Sequence, residues 1–175
     1  MKKHNLAFID IETTGLNVLE HEIIEIGCVI TNADLRVIEE FELKIKPEHI
    51  ENADLVALKI NHYNEDGWKD ARPLKEVMKV FSKKVKDCIM VGHNVAFDSS
   101  FLEHAFSVAG VSSTMHYHKL DTVSIAWAKL HKDTVLIHFS LHELCTRFGI
   151  KNENPHTALS DARATCELYK KLMEL

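Results

Sequence analysis

Acidic residues placed where apolar runs stop restrict this chain more than any other feature. The run Asn5-Leu-Ala-Phe-Ile-Asp-Ile11 carries Asp10, adds Glu12 and breaks at Thr13-Thr14-Gly15. A second run, Cys88-Ile-Met-Val-Gly92, gives way to His93-Asn94 and then Phe97-Asp98. Farther on, His156 stands five residues before Asp161. Burying an unpaired carboxylate is expensive, so a fold that gathers these four needs something positive among them. Two hard divalent cations about 3.5–4 Å apart meet that need with carboxylate oxygens, and one imidazole beside a water can take its proton.

The periodicity supplies the frame. Residues 5–11 read as a buried strand with a turn after it. Alternation puts i and i+2 on one face, so Asp10 and Glu12 point together while Ile11 points to the opposite, apolar side. Residues 22–31 and 35–46, rich in Ile and Val and separated by Asn32-Ala33-Asp34, read as a hairpin. From about residue 72 the period lengthens. Leu74, Val77, Met78, Phe81 and Val85 mark an amphipathic helix with Pro73 in its first turn. Residues 88–92 are a strand, and Phe97, Phe101, Leu102, Ala105, Phe106 and Ala109 mark a helix closed by Gly110. A weaker strand near 116–121 precedes helices near 122–131 and 140–148, the second closed by Gly149, and a last helix over about 157–173. Three strands followed by alternating helices and strands predict an α/β fold with a mixed sheet and helices packed on it.

At 175 residues the chain fits a single domain, 1–175, able to bury roughly 70% of its unfolded surface. Six Gly and three Pro leave no room for a low-complexity linker. The basic start, Met1-Lys2-Lys3-His4-Asn5, runs straight into the first strand without a signal-type apolar stretch, and no segment is long and apolar enough to span a membrane. Cys28, Cys88, Cys145 and Cys166 form no CxxC pair and read as reduced core thiols of a cytoplasmic protein, which disfavours a zinc site. A formal charge of −5 argues against gripping a long nucleic acid by phosphate neutralisation. Cations bound at the four carboxylates would reverse the local field.

Each candidate has a structural counterpart. Asp98, in the first turn of its helix, is also what the helix dipole favours there. Asp161 shares a face with Ala158, Thr165, Leu168 and Leu172 and so turns inward, where a ligand role outweighs a buried ion pair. His156, after Asn154-Pro155, belongs to a loop beside Asp161, and an imidazole there can act as general base near neutral pH. His116, His118, His131, His138 and His142 lack the HExxH pattern and read as surface or satisfied polar groups. Lys75, Lys79, Lys83, Lys84 and Lys86 read as a solvated helix face, and Trp68 and Trp127 as core or half-buried packing.

The motifs Asp10-Ile-Glu12-Thr-Thr-Gly15, His93-Asn94-Val-Ala-Phe97-Asp98 and His156-Thr-Ala-Leu-Ser-Asp161-Ala resemble the three exonuclease motifs of the DEDDh family. That family includes the proofreading subunit of bacterial DNA polymerase III, ribonuclease T and oligoribonuclease. The tyrosine branch of the superfamily places Tyr four residues before the final Asp; Thr157 is there, and His156 matches the histidine branch. The stretch Asp54-Leu-Val-Ala-Leu-Lys-Ile-Asn61 is also similar to the family's segment after the third strand.

The resemblance implies a ribonuclease H-like fold, with a five-stranded mixed sheet, its second strand antiparallel to the rest, flanked by helices. It implies 3′-to-5′ hydrolysis of single-stranded DNA or RNA ends to nucleoside 5′-monophosphates with two Mg²⁺ or Mn²⁺, DNA slightly favoured. Asp10 would bridge both ions, Glu12 and Asp161 would complete the water-bearing site, and Asp98 would hold the second. Thr13, Thr14 and Gly15 would hold the terminal nucleotide and Leu16 would wedge against its base, with Asn94 as positional support. The long form of the proofreading subunit has a polymerase-binding tail that this sequence lacks, which disfavours tethering of that kind and leaves docking to a polymerase subunit through the folded surface. A ribonuclease trimming small RNAs is the nearest alternative. A non-catalytic binding module would show a lost carboxylate or a replaced His156, and neither occurs.

Overall fold

The computed structural model describes residues 4–175, and Met1-Lys2-Lys3 lies outside them. Strand β1 (Leu6–Thr13) occupies the middle of a five-stranded sheet. β2 (Ile23–Thr31) and β3 (Val37–Lys44) extend it on one side, β4 (Ile89–Gly92) and β5 (Lys119–Asp121) on the other, in the order β3-β2-β1-β4-β5. β2 is antiparallel to both neighbours while β1, β4 and β5 run parallel, so the second strand alone opposes the rest, as expected. Asn32 closes the β2–β3 hairpin by accepting from the Asp34 and Arg36 N–H groups, each at 3.0 Å.

The described residues form six α-helices: α1 (Leu55–Ile60), α2 (Leu74–Lys84), α3 (Val95–Ala109), α4 (Thr122–Leu130), α5 (Leu141–Phe148) and α6 (Ala158–Met173). Alternation along β1 decides what each layer sees. Ala7, Ile9 and Ile11 enter one core with Ile26 and Cys28 of β2, Met78 and Phe81 of α2, and Phe101 and Leu102 of α3. Leu6 and Phe8 face the other way and pack with Val29, Val91 and the Ala162 and Cys166 side chains of α6. A third cluster, including Ala126, Leu144, Leu168 and Leu172, joins α4 and α5 to α6. Burying one such large side chain contributes about 1.5–3 kcal/mol.

The structure departs from the expected elements in places that have a physical reason. β1 runs two residues farther than 5–11, which brings Glu12 into the ladder opposite Glu25. The short 3-10 turn Ile50–Asn52 and helix α1 were not expected. Leu55, Val56 and Ile60 of α1 are exposed, so it has no inward stripe to read. Its start is fixed by the Asp54 carboxylate accepting from Val56 N–H at 2.8 Å. β5 is shorter than 116–121, and ahead of it His116 stacks on Tyr117, whose ring meets His118 at a tilt. Trp68 is buried, its indole donating to Ile24 O at 2.9 Å, but Trp127 is 60% exposed and is not core. Lys84 is not simply solvated: it pairs with Glu39 and sits over the Phe41 ring. All four cysteines are buried free thiols. No helix among the described residues is long and apolar enough to cross a membrane.

Candidate active site

β1 changes character along its α6 side. Leu6 and Phe8 are followed, at the same alternation, by Asp10 and Glu12. On β2 the residues opposite those two carboxylates are Gly27 and Glu25. A Cβ on Gly27 would lie 2.1 Å from the carbonyl carbon of Ala158, so the first turn of α6 rests on the bare backbone of β2. Asp161, one turn into that helix, thereby faces the end of β1. One oxygen from each of Asp10, Glu12 and Asp161 lies within 4.8 Å of the other two.

Asp98 reaches the same strand from the other neighbour. Pairing of β1 with β4 ends at Phe8, which leaves the Ile11 N–H without a strand acceptor. The carboxylate of Asp98, buried in the first turn of α3, takes that bond at 3.2 Å. It stands beside Asp10 and outside the three-residue cluster.

The described residues supply no compensating cation. Among the described residues, none of the ion pairs includes Asp10, Glu12, Asp98 or Asp161. Burial, then the charges of Asp98, Asp161, Glu12 and Glu25, hold the Asp10 carboxyl well above the usual carboxylate range. Burial first, and Asp161 and Glu25 next, push Glu12 up to about 8. Burial pushes Asp98 up to about 7, against its own and the Ile11 backbone N–H groups, which pull it down. A set of crowded, mutually repelling oxygens with no Cys or His among them is the donor chemistry of a hard divalent cation such as Mg²⁺ or Mn²⁺.

His156 and Asp161 meet through the backbone. The His156 N–H donates to Asp161 Oδ2 at 3.1 Å, the residue sits at φ +65°, and its side chain is exposed beside the carboxylates' helix. Asn152 holds the other Asp161 oxygen, donating from Nδ2 to Oδ1 at 2.5 Å, and accepts from Ser160 Oγ at 2.7 Å. The turn beyond β1 is clamped from three directions: Asn61 donates to Thr13 O at 2.9 Å, Asp54 N–H to Thr14 O at 2.8 Å, and Glu22 N–H to Thr14 Oγ1 at 2.9 Å. The His21 ring lies 2.5 Å from where a Cβ on Gly15 would be, so a side chain there would have to displace it. Leu16 projects from this turn at 80% exposure. Asn94, exposed and at φ +67°, precedes α3 and donates its N–H to Asp121 Oδ1 at 2.9 Å, while His93 is tied to Thr122 Oγ1 and Phe139 O.

Sequence reasoning missed Glu25, Asp121 and Asn152. Asp121 caps α4 through Val123 and Ser124 and steadies Asn94. Glu25 is buried on β2 and accepts from Ala158 N–H at 2.9 Å; burial and Glu42 push its carboxyl up to about 6. An acid inside the otherwise apolar run Ile23-Ile-Glu-Ile-Gly-Cys28 was the available signal.

The family model described as Exonuclease, of the RNase T type, matches residues 7–169. The chain is similar to the PolC-type DNA polymerase III of Caldanaerobacter subterraneus subsp. tengcongensis, 34% identical over 166 residues, which are 94% of this chain and 11% of that protein. Its likeness to the PolC-type DNA polymerase III of Thermotoga maritima is 30% over 168 residues, 95% of this chain and 12% of that protein. The chain thus spans about a tenth of the length of these curated relatives. Among solved structures, E. coli exonuclease I in complex with a dA16 oligonucleotide superposes with a TM-score of 0.83 at 19% identity, covering 98% of this chain and 42% of that one. An exonuclease I from Methylocaldum szegediense gives 0.80 at 18% identity, over 98% and 40%. At such identities the likeness shows the fold, which is ribonuclease H-like.

Proposed function

The chain belongs to the exonuclease family, and from that premise we propose that it hydrolyses single-stranded nucleic acid from the 3′ end, one nucleotide at a time, releasing nucleoside 5′-monophosphates. The observation that carries the reading is the convergence of Asp10, Glu12 and Asp161 within 4.8 Å, with no basic side chain paired to them among the described residues. DNA is the favoured substrate: the relatives are named as DNA polymerases, and exonuclease I, whose fold this chain shares, is described in complex with single-stranded DNA. The RNase T label of the matching family supports RNA 3′ ends as the second substrate.

Asp10, Glu12 and Asp161 would hold one divalent cation, and Asp10 with Asp98 a second. When bound, two such ions acidify the attacking water and screen the charge that builds on the phosphate and the leaving 3′ oxygen. His156, on its loop beside Asp161, would accept a proton from the attacking water, whose oxygen bonds to phosphorus as the bond to the 3′ oxygen breaks, and the 3′ oxygen takes up a proton from solvent. Thr13, Thr14 and Gly15 seat the last nucleotide, Leu16 presses on its base, and Asn94 supports the opposite rim. The buried thiols suit a reducing, cytoplasmic setting, and the likeness to PolC-type polymerases supports work alongside a DNA polymerase.

The test is a paired assay. DNA and RNA oligomers carrying 5′ labels are incubated with the protein and Mg²⁺ or Mn²⁺, and products are identified by chromatography. A ladder of shortened strands with 5′-mononucleotides, absent in Asp10→Ala, is expected. No mononucleotide from any single strand would overturn the reading.

A further inference from the structure

Helix α6 begins without a cap of its own. Thr157 stands at its N-cap position and makes no side-chain capping bond, although the first-turn N–H groups of a helix need acceptors. Glu25 supplies one from the sheet, reaching across 133 positions of sequence to accept from Ala158 N–H. Two residues along the same strand face, Gly27 leaves the space into which the Ala158 backbone descends. An acceptor and a hole, side by side on β2, therefore fix both the height and the position of the helix start. Asp161 is one turn above that contact, and His156 is two residues before it.

We propose that Glu25 is the positioning residue that seats α6 on β2 and so sets Asp161 and His156 against Asp10 and Glu12. This rests on the reading of those residues as cation ligands and base. Strand register alone does not hold the third carboxylate in place, because α6 belongs to a different element from Asp10 and Glu12. A displacement of about 1 Å at the reacting groups can cost about a hundredfold in rate. The carboxylate geometry that matters at Glu25 is its reach, since Gln offers an acceptor at the same distance and Asp does not.

Three variants separate seating from charge. In Glu25→Ala and Glu25→Asp the Ala158 amide should exchange about tenfold faster or more, Mn²⁺ titrated into the protein should bind about tenfold more weakly, and kcat should fall with KM little changed. Glu25→Gln should keep all three within about threefold of the parent, because it keeps the acceptor. Should the alanine variant fail to fold, the aspartate variant, which preserves the charge, decides. Unchanged protection of Ala158 in the aspartate variant overturns the proposal, as does a glutamine variant impaired as much as the alanine one. If the parent protein cuts no strand, the functional reading falls, while amide exchange and Mn²⁺ affinity still decide the role of Glu25.

Discussion

The side of the sheet under α6 is built in two halves that obey opposite rules. Toward the start of β1, Leu6 and Phe8 meet Val29, Val91, Ala162 and Cys166 in an apolar cluster. Toward its end, along the same strand and the same helix, Asp10, Glu12, Glu25 and Asp161 crowd together with no basic side chain paired to Asp10, Glu12 or Asp161 among the described residues. The first half gains free energy by excluding water. The second loses it by the same act, and is tolerated because the first holds the helix down. A strand whose alternation never changes can thus carry both a core and a site, the switch depending only on which residues occupy its last even-numbered positions.

The comparison breaks most sharply at Asp10. Asp10→Ala should lower nuclease turnover by about a thousandfold or more. In EDTA the same change should raise the melting temperature, by about 2–4 °C for each kcal/mol of relieved repulsion. A lower melting temperature in EDTA would mean that the acidic half is not strained without cations. His156→Ala comes next. Turnover should drop by about 10²–10⁴-fold with Mn²⁺ affinity nearly intact, and unchanged turnover would remove His156 from the chemistry.

Phe8→Ala probes the other half. It should cost about 3–5 kcal/mol of stability, seen as a lower urea midpoint, and leave turnover per folded molecule close to the parent's. A large loss of turnover well below the melting point would show that the two halves are not separable.

A pH series sharpens the contrast. Glu12 is held at about 8 in the folded chain against an ordinary 4.5, so the folded state grips this proton more tightly than the unfolded state does. Its contribution to stability is full below about 4.5 and is lost as pH rises through about 8. In EDTA, stability should decline between about pH 5 and pH 9, and saturating Mg²⁺ should flatten that decline. A flat profile in EDTA would contradict the raised carboxyl. The smallest effect belongs to Leu16, exposed and outside both halves: Leu16→Ala should raise KM about fivefold and leave stability unchanged.

Much of this was legible in the residues. The placement of Asp10 and Glu12 on one face follows from a period of two, and the helices that carry Asp98 and Asp161 from a period of 3.6 beside turn residues. The mixed sheet emerges from the hairpin at Asn32 and the later alternation of helices with strands, while its five strands and the reversed second one come from the family resemblance. What could not be read is whatever depends on contacts between distant elements. Glu25 looks like any polar interruption of a strand until Ala158 arrives above it. Helix α1 hides because its apolar residues face outward, and Trp127 misleads because the small Ala126, beside it in sequence, takes the buried position on α4. Asn152 shows no pattern at all, since its partners Ser160 and Asp161 reach it by a loop fold with no fixed spacing.

The seat of α6 on Gly27 also bears on the order of events during synthesis. Strand β2 leaves the ribosome long before Ala158 does, since 133 positions separate Glu25 from its partner. A growing chain can therefore complete its sheet and still lack the third carboxylate, and contacts of such long sequence separation are the slow ones to form. In refolding experiments Mn²⁺ binding should appear with the last tertiary phase, after the helical signal has already been recovered.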